Sequence, residues 1–208
     1  MFSGGRDSTV AAVRLSRAFA QLVLVTVTSS HLVGIERVRR RLAELRGILP
    51  PRTTWLHMGT LLRGSENLTG VSLATCLPCQ LDYCVIGARV SLETDADALA
   101  LGYAGYQSSW PEQTPYATSA LQRELAGLGV HVLFPSYSLH SKHEAENELV
   151  RAGLSGESLE QKCLRQSTNV DLNPAALRRS VDEWVSAIRT EVQRGGSTPP
   201  VFTREDLS

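Results

Sequence analysis

Net charge is the first thing this sequence lacks: 21 Lys+Arg balance 21 Asp+Glu over 208 residues. A neutral chain is not a strongly electropositive, free-standing nucleic-acid binder, although a local basic patch is compatible with neutrality. Apolar runs of membrane-spanning length are missing, and so is a signal peptide. The expectation is a cytoplasmic chain with no membrane partner. Internal repeats are also absent. Cysteines number only four, and in a cytosolic chain such cysteines more often bind metal or catalyse than form disulfides. The Walker phosphate-binding pattern does not occur. Only Met1 and Phe2 precede the first glycine-rich loop, where a central strand usually takes about five residues. A crippled first strand, or a start drawn too late, is therefore expected.

What remains is an ordinary globular composition, 42% hydrophobic and 20% charged, in a chain long enough for one well-buried domain. Ser3-Gly4-Gly5-Arg6-Asp7-Ser8-Thr9 stands directly before a helix-forming run, Val10-Ala11-Ala12-Val13-Arg14-Leu15. Glycines let the backbone turn tightly and approach a ligand closely. A helix starting there points its unpaired N–H groups and positive dipole end at the loop, which makes an anion site. Ser3, Ser8 and Thr9 add hydroxyl donors, and Asp7 suits a metal ion that bridges phosphates. A plain turn is the alternative.

Along the chain, helices are expected at Asp7 to Phe19, Gly34 to Arg46, Gln80 to Leu92, Tyr116 to Gly127 and from Ser141 to Gly153. The last helix is capped by Asn173, with Pro174 at its first position. Ser141 with Glu144 reads as a capping box. Leu22 to Thr28 is a β-branched run of the kind buried on both faces of a parallel sheet, and it ends in Ser29-Ser30-His31. Further strands are expected at 53–58, 97–103 and 130–135. The arginines of the second helix, Arg37, Arg39, Arg40, Arg41 and Arg46, suit either RNA phosphates or, more commonly, a solvated face. Residues 194–208 read as a mobile tail. Alternation of strand and helix implies an α/β fold with a parallel sheet and helices on both faces.

In such a sheet, ligands sit outside the carboxyl ends of the strands. The Ser3–Ser8 loop and Gly102 both fall at such ends, and Thr28 ends its own strand. Lys142 either reaches phosphate or is an exposed surface lysine. Cys76 and Cys79 form a C-x-x-C, and Cys163 follows much later. Zinc takes four ligands, so the fourth would be Cys84 or a histidine such as His140 or His143. Three thiolates can instead hold an iron–sulfur cluster with one iron left open.

The six residues from Ser3 to Ser8 resemble the SGGxDS motif of the PP-loop ATP pyrophosphatases. The cysteine arrangement further resembles the tRNA thiolases of that superfamily, over roughly residues 1–165. The resemblance implies a doubly wound, Rossmann-like HUP sheet of about five parallel strands in the order 3-2-1-4-5. It implies a PP-loop domain over 1–172, with an amphipathic helix over 173–193 packed on it. It implies ATP and Mg2+ held by Ser3, Gly4, Gly5, Asp7, Ser8 and Thr9, with Thr28, Gly102 and Lys142 alongside. Cys76, Cys79 and Cys163 would be cluster ligands, Zn2+ being the alternative, and Asp7, Cys79 and Cys163 the catalytic residues. The implied reaction adenylates a carbonyl oxygen, releases pyrophosphate and transfers sulfur to a nucleobase, with tRNA, a sulfur-carrier protein and a second copy of the chain as partners. The chain departs from these thiolases where they carry Gly-His-x-x-Asp-Asp: here it reads Gly102-Tyr103-Ala104-Gly105-Tyr106-Gln107. Trp110-Pro111-Glu112 with Ser141-Lys142-His143-Glu144 is also similar to the 7-cyano-7-deazaguanine synthases, which act on a small carboxylate, but no cysteine follows Cys163 to build their zinc cluster. A non-catalytic nucleotide-binding module with structural zinc is the third possibility.

Overall fold

The computed structural model describes residues 1–59, 75–165, 172–195 and 202–207. The chain forms α1 (Arg6–Ser16), β1 (Val23–Thr28), β2 (Leu32–Val33), α2 (Ile35–Leu45), β3 (Thr54–Gly59), α3 (Leu77–Glu93) and β4 (Leu99–Ala100). It continues with α4 (Pro115–Ala126), β5 (Val132–Leu133), α5 (Lys142–Arg151), β6 (Lys162–Cys163), α6 (Pro174–Arg194) and β7 (Thr203–Asp206). The helix starts follow their caps. Ser141 Oγ accepts the Glu144 N–H at 3.1 Å, Thr114 Oγ1 the Ala117 N–H at 3.2 Å, and Asn173 Oδ1 the Ala176 N–H at 2.9 Å.

β1 and β3 pair in parallel, Val23 opposite Thr54 through Thr28 opposite Gly59. β4 and β5 also pair in parallel. The expected single sheet of about five parallel strands in the order 3-2-1-4-5 is not seen among the described residues. The strands fall into three groups, β1-β3-β7, β4-β5 and β2-β6. The Met1 amine donates to the Ala100 carbonyl at 2.6 Å, and the Phe2 N–H donates to the Val25 carbonyl at 2.7 Å. Thr26 Oγ1 donates to the Phe2 carbonyl at 2.7 Å. Met1 and Phe2 thus stitch β1 to β4 at a single point. Beside them, towards the starts of both strands, a cavity of about 320 Å³ opens among Met1, Leu15, Leu24, Val90 and Leu99. Burial pushes the Met1 amine down to about 6.

Helices cover both faces. Val10, Val13, Val38, Leu42, Ala145 and Leu149 bury α1, α2 and α5 against Leu24 and Trp55. On the other side Leu81, Val85, Leu121, Val181, Trp184 and Ile188 join α3, α4 and α6 around Leu99 and Leu101. A bidentate Arg14–Glu148 pair, at 2.7 and 2.6 Å, ties α1 to α5. The expected mobile tail is corrected at its far end: β7 pairs antiparallel with β3, Thr54 opposite Asp206, and buries Leu207. Residues 196–201 and 208, the rest of that tail, lie outside the described residues. No helix among the described residues is long and apolar enough to cross a membrane.

Candidate functional site

The glycine-rich loop is built as a turn that only glycine fits. Gly4 has φ +77°, and a Cβ there would stand 2.9 Å from the Leu159 carbonyl oxygen and 3.2 Å from Val38 Cα. Gly5 precedes α1 in extended conformation, and no side chain caps the helix. The first-turn N–H groups of α1 therefore face the loop without a capping partner. Ser3 and Ser8 are linked through their hydroxyls at 3.0 Å, and the Gly5 N–H donates to Ser3 Oγ at 3.2 Å. Thr9 corrects one expectation. It is fully buried and spends its hydroxyl on the Gly5 carbonyl at 2.6 Å, so it shapes the turn and does not face a ligand.

Asp7 is engaged. Both of its carboxylate oxygens accept from the Tyr106 hydroxyl, at 2.7 and 2.8 Å. Burial pushes its carboxyl above the usual range, Tyr106 draws it back, Glu160 raises it further, and Arg6 and Lys142 oppose the rise. Lys142 thus lies within electrostatic reach of Asp7, on the first residue of α5. Gly102 packs its backbone on the loop: a Cβ there would stand 2.6 Å from Ser8 Cα. Thr28 sits at the carboxyl end of β1, with its hydroxyl 2.9 Å from His57 Nε2 and donating to Gln161 Oε1 at 2.7 Å.

Gln161 belongs to a stretch that carries no helical or strand periodicity in the sequence. Residues 155–163 form a strap across the strand ends. The Leu159 N–H donates to the Gly4 carbonyl at 3.1 Å, and a Glu160 carboxylate oxygen stands 2.5 Å from where a Gly5 Cβ would be. Beyond Gln161, β6 pairs antiparallel with β2, Leu32 opposite Cys163. Arginines of α2 hold the strap. Arg37 donates to the carbonyls of Ser158 and Glu160 at 2.6 and 2.9 Å. Arg41, fully buried, donates to the carbonyls of Ser155 and Glu157 and pairs with Glu44 at 2.5 Å. The arginine-rich face is therefore no solvated surface at these two positions.

The strap delivers Cys163 to a pocket of about 40 Å³ lined by His31, Thr75, Cys76, Pro78, Cys79, Cys163 and Arg165. Cys76 caps α3 and Cys79 follows in its first turn, with Pro78 suited to that turn because its missing N–H has no partner to lose. His31 Nε2 lies 3.5 Å from Cys79 Sγ. Burial, with Glu112 and the neighbouring thiols, pushes the Cys76 thiol up to about 12. Burial and Asp82 also raise Cys79, against the pull of Arg165. His31 is lowered, by burial first and Arg165 second. Cys84 stands apart, fully buried in the core. No disulfide joins the cysteines among the described residues.

As they stand, no three His, Cys, Asp or Glu side chains among the described residues are close enough to share a metal ion. The donor set nevertheless fits one. Three thiols and an imidazole line a single small pocket, Cys163 is exposed, and the Cys76 and Cys79 thiols, raised by burial, become thiolates when a cation stands beside them. Of the residues the sequence marked, the fold brings Gly4, Gly5, Ser3, Ser8, Asp7 and Gly102 together, with Lys142 nearby, and gathers Cys76, Cys79 and Cys163 separately. His31, Tyr106, Glu160 and Arg165 were not singled out. His31 carried a signal, as a polar residue just past a buried strand, and Tyr106 stands where the thiolase motif has its first Asp; Glu160 and Arg165 sit in stretches without periodicity or motif.

The geometry defines a class: an α/β protein with an uncapped glycine-rich turn at one helix start and a thiol pocket at another. No protein-family model matches the chain, and no curated protein matches it by sequence. Among solved structures it is similar to the U34-tRNA thiolase NcsA from Methanococcus maripaludis, described with its 4Fe-4S cluster. The two are 18% identical with a TM-score of 0.54, over 93% of this chain and 69% of that one, a likeness of fold.

Proposed function

We propose that this chain is an ATP pyrophosphatase of the PP-loop type, which adenylates a carbonyl oxygen of its substrate, releases pyrophosphate and passes sulfur to a nucleobase of tRNA. The observation that carries the reading is the strap. Within five residues it is bonded to Gly4 at the anion cradle and places Cys163 in the thiol pocket. An activating site and a sulfur site are thereby held on one rigid segment. The thiolase named above supports the same pairing, since it is a tRNA thiolase with a 4Fe-4S cluster.

In this reading Ser3, Gly4, Gly5, Asp7 and Ser8 hold the phosphate tail on the α1 N-terminus, and the leaving pyrophosphate's charge is stabilised by N–H groups already aimed at it. Lys142 adds a cation, Asp7 is the acid that would hold Mg2+, and Thr28 and Gly102 border the nucleotide. Arg6 is turned away, paired with Glu146 at 2.9 Å. Glu160 has to leave Gly5 before phosphate settles there, because two anions repel in one cradle. Cys76, Cys79 and Cys163 would hold an iron–sulfur cluster, which when bound supplies an iron position able to carry an extra sulfur. Arg165 lines the same pocket and favours an anionic sulfur species.

Pyrophosphate release with ATP and bulk tRNA tests the first half. Asp7→Ala is expected to abolish it. Cys163→Ala is expected to keep nucleotide binding and lose the thiolated product; unchanged turnover in that variant removes sulfur transfer from the function. A second reading, a nucleotide-binding module with zinc in the thiol pocket, is favoured by Tyr106 sitting on Asp7. It expects ATP binding without pyrophosphate release.

A further inference from the structure

The thiol pocket has seven lining residues, and only four of them carry a donor that suits zinc or iron: the sulfurs of Cys76, Cys79 and Cys163 and the imidazole of His31. Thr75 offers a neutral hydroxyl, Pro78 nothing, and the Arg165 guanidinium cannot ligate a cation. We propose that His31 is the fourth protein ligand of the metal that Cys76, Cys79 and Cys163 hold, so that the resting site is Cys3His and not three thiols with an open position. The inference rests on the reading that these three thiols bind a metal, and goes beyond it by assigning the position that three cysteines leave unfilled.

Two features place His31 there. The first is the backbone. The Leu164 N–H donates to the His31 carbonyl at 2.8 Å, and Leu32, the next residue, lies opposite Cys163. The backbone of His31 is thereby held one residue beyond the β2–β6 pair that carries Cys163, and both side chains line the same pocket. The second is the ring. Its Nε2 is 3.5 Å from Cys79 Sγ, so it already faces the thiol pocket. Ser29 Oγ lies at the ring edge, 2.9 Å from Nδ1 and 3.2 Å from Nε2. With Nδ1–H donating to that hydroxyl, the lone pair is left on Nε2, the arrangement in which an outer partner orients a metal-bound histidine. An imidazole in this position protects the metal from solvent and has to yield when a sulfide binds.

The test uses the full chain, purified anaerobically, loaded in one arm with iron and sulfide and in another with Zn2+. Histidine is labelled with 15N, and the reduced cluster is read by pulsed EPR. The expected result is a 15N coupling in the wild type that disappears in His31→Ala while the three-thiol cluster remains. In the zinc arm, competition with a chelator is expected to show at least about a tenfold loss of affinity in His31→Ala, since even outer-shell partners are worth that much. His31→Cys is expected to restore the affinity without the nitrogen signal, which separates ligation from misfolding. A cluster whose spectrum lacks 15N coupling in the wild type, with zinc affinity unchanged in His31→Ala, overturns the assignment and leaves the three-thiol site standing. A wild-type chain that takes up neither metal overturns both.

Discussion

Asp82 shows how a single carboxylate couples the thiol pocket to pH. It lies on α3 one turn beyond Cys79, one of its oxygens is buried without a hydrogen-bond partner, and burial pushes its carboxyl up to about 7. The unfolded chain releases this proton near the ordinary carboxylate value, while the folded chain keeps it until about pH 7. Between those values the folded state binds more protons, so stability falls as pH rises and levels off above pH 7. Asp82→Asn removes that slope. Urea unfolding of the two chains is expected to give equal stability near pH 4 and an advantage of about 2 kcal/mol for the variant at pH 8, the full shift being discounted for the exposed side of the group. Parallel curves across that range would show that Asp82 is well solvated in the protein. Nothing in the sequence marks this residue, because its effect comes from burial, and burial of one helix face against later elements is a tertiary fact.

At the scale of elements, helices were the most legible part. Ser141 and Asn173 cap where their side chains announced it, and Pro115 and Pro174 open α4 and α6. Short strands were less so: the runs at 97–103 and 130–135 pair over only two residues each, Leu99–Ala100 and Val132–Leu133. The strap was illegible because nothing in its own sequence orders it. Its carbonyls are ordered by Arg37 and Arg41, more than a hundred residues earlier in the chain. Arg41→Met tests this dependence. It leaves the Ser155 and Glu157 carbonyls without the Arg41 donor and the Glu44 carboxylate with only the Ser155 N–H, at an expected cost of about 3 kcal/mol. Amide hydrogen exchange at Leu159, whose N–H is bonded to Gly4, is expected to accelerate well beyond the amides of α6. Equal acceleration everywhere would mean that Arg41 stabilises the whole fold and not the strap.

Across the whole molecule, the polar run Thr203-Arg204-Glu205-Asp206 becomes an edge strand although it has neither alternation nor apolar content. Edge pairing needs only backbone groups, and side chains supply the register: Thr54 Oγ1 donates to Asp206 at 3.1 Å, and Arg39 pairs with Glu205 at 2.7 Å while lying over the Trp55 ring. A charged strand also suits this place, because it closes the edge of β3 against pairing with another chain. The anchor is Leu207, 6% exposed, whose N–H donates to the Thr53 carbonyl at 3.0 Å and whose side chain joins the core around Trp55 and Leu45. Leu207→Ala removes that anchor and is expected to cost about 2–3 kcal/mol. If β7 protects the sheet edge, the loss appears twice: as a lower midpoint in thermal unfolding, and as concentration-dependent association beyond that of the wild type. A variant that unfolds at a lower temperature yet stays monomeric at all concentrations would assign Leu207 to packing alone and leave β3 protected by its own charges.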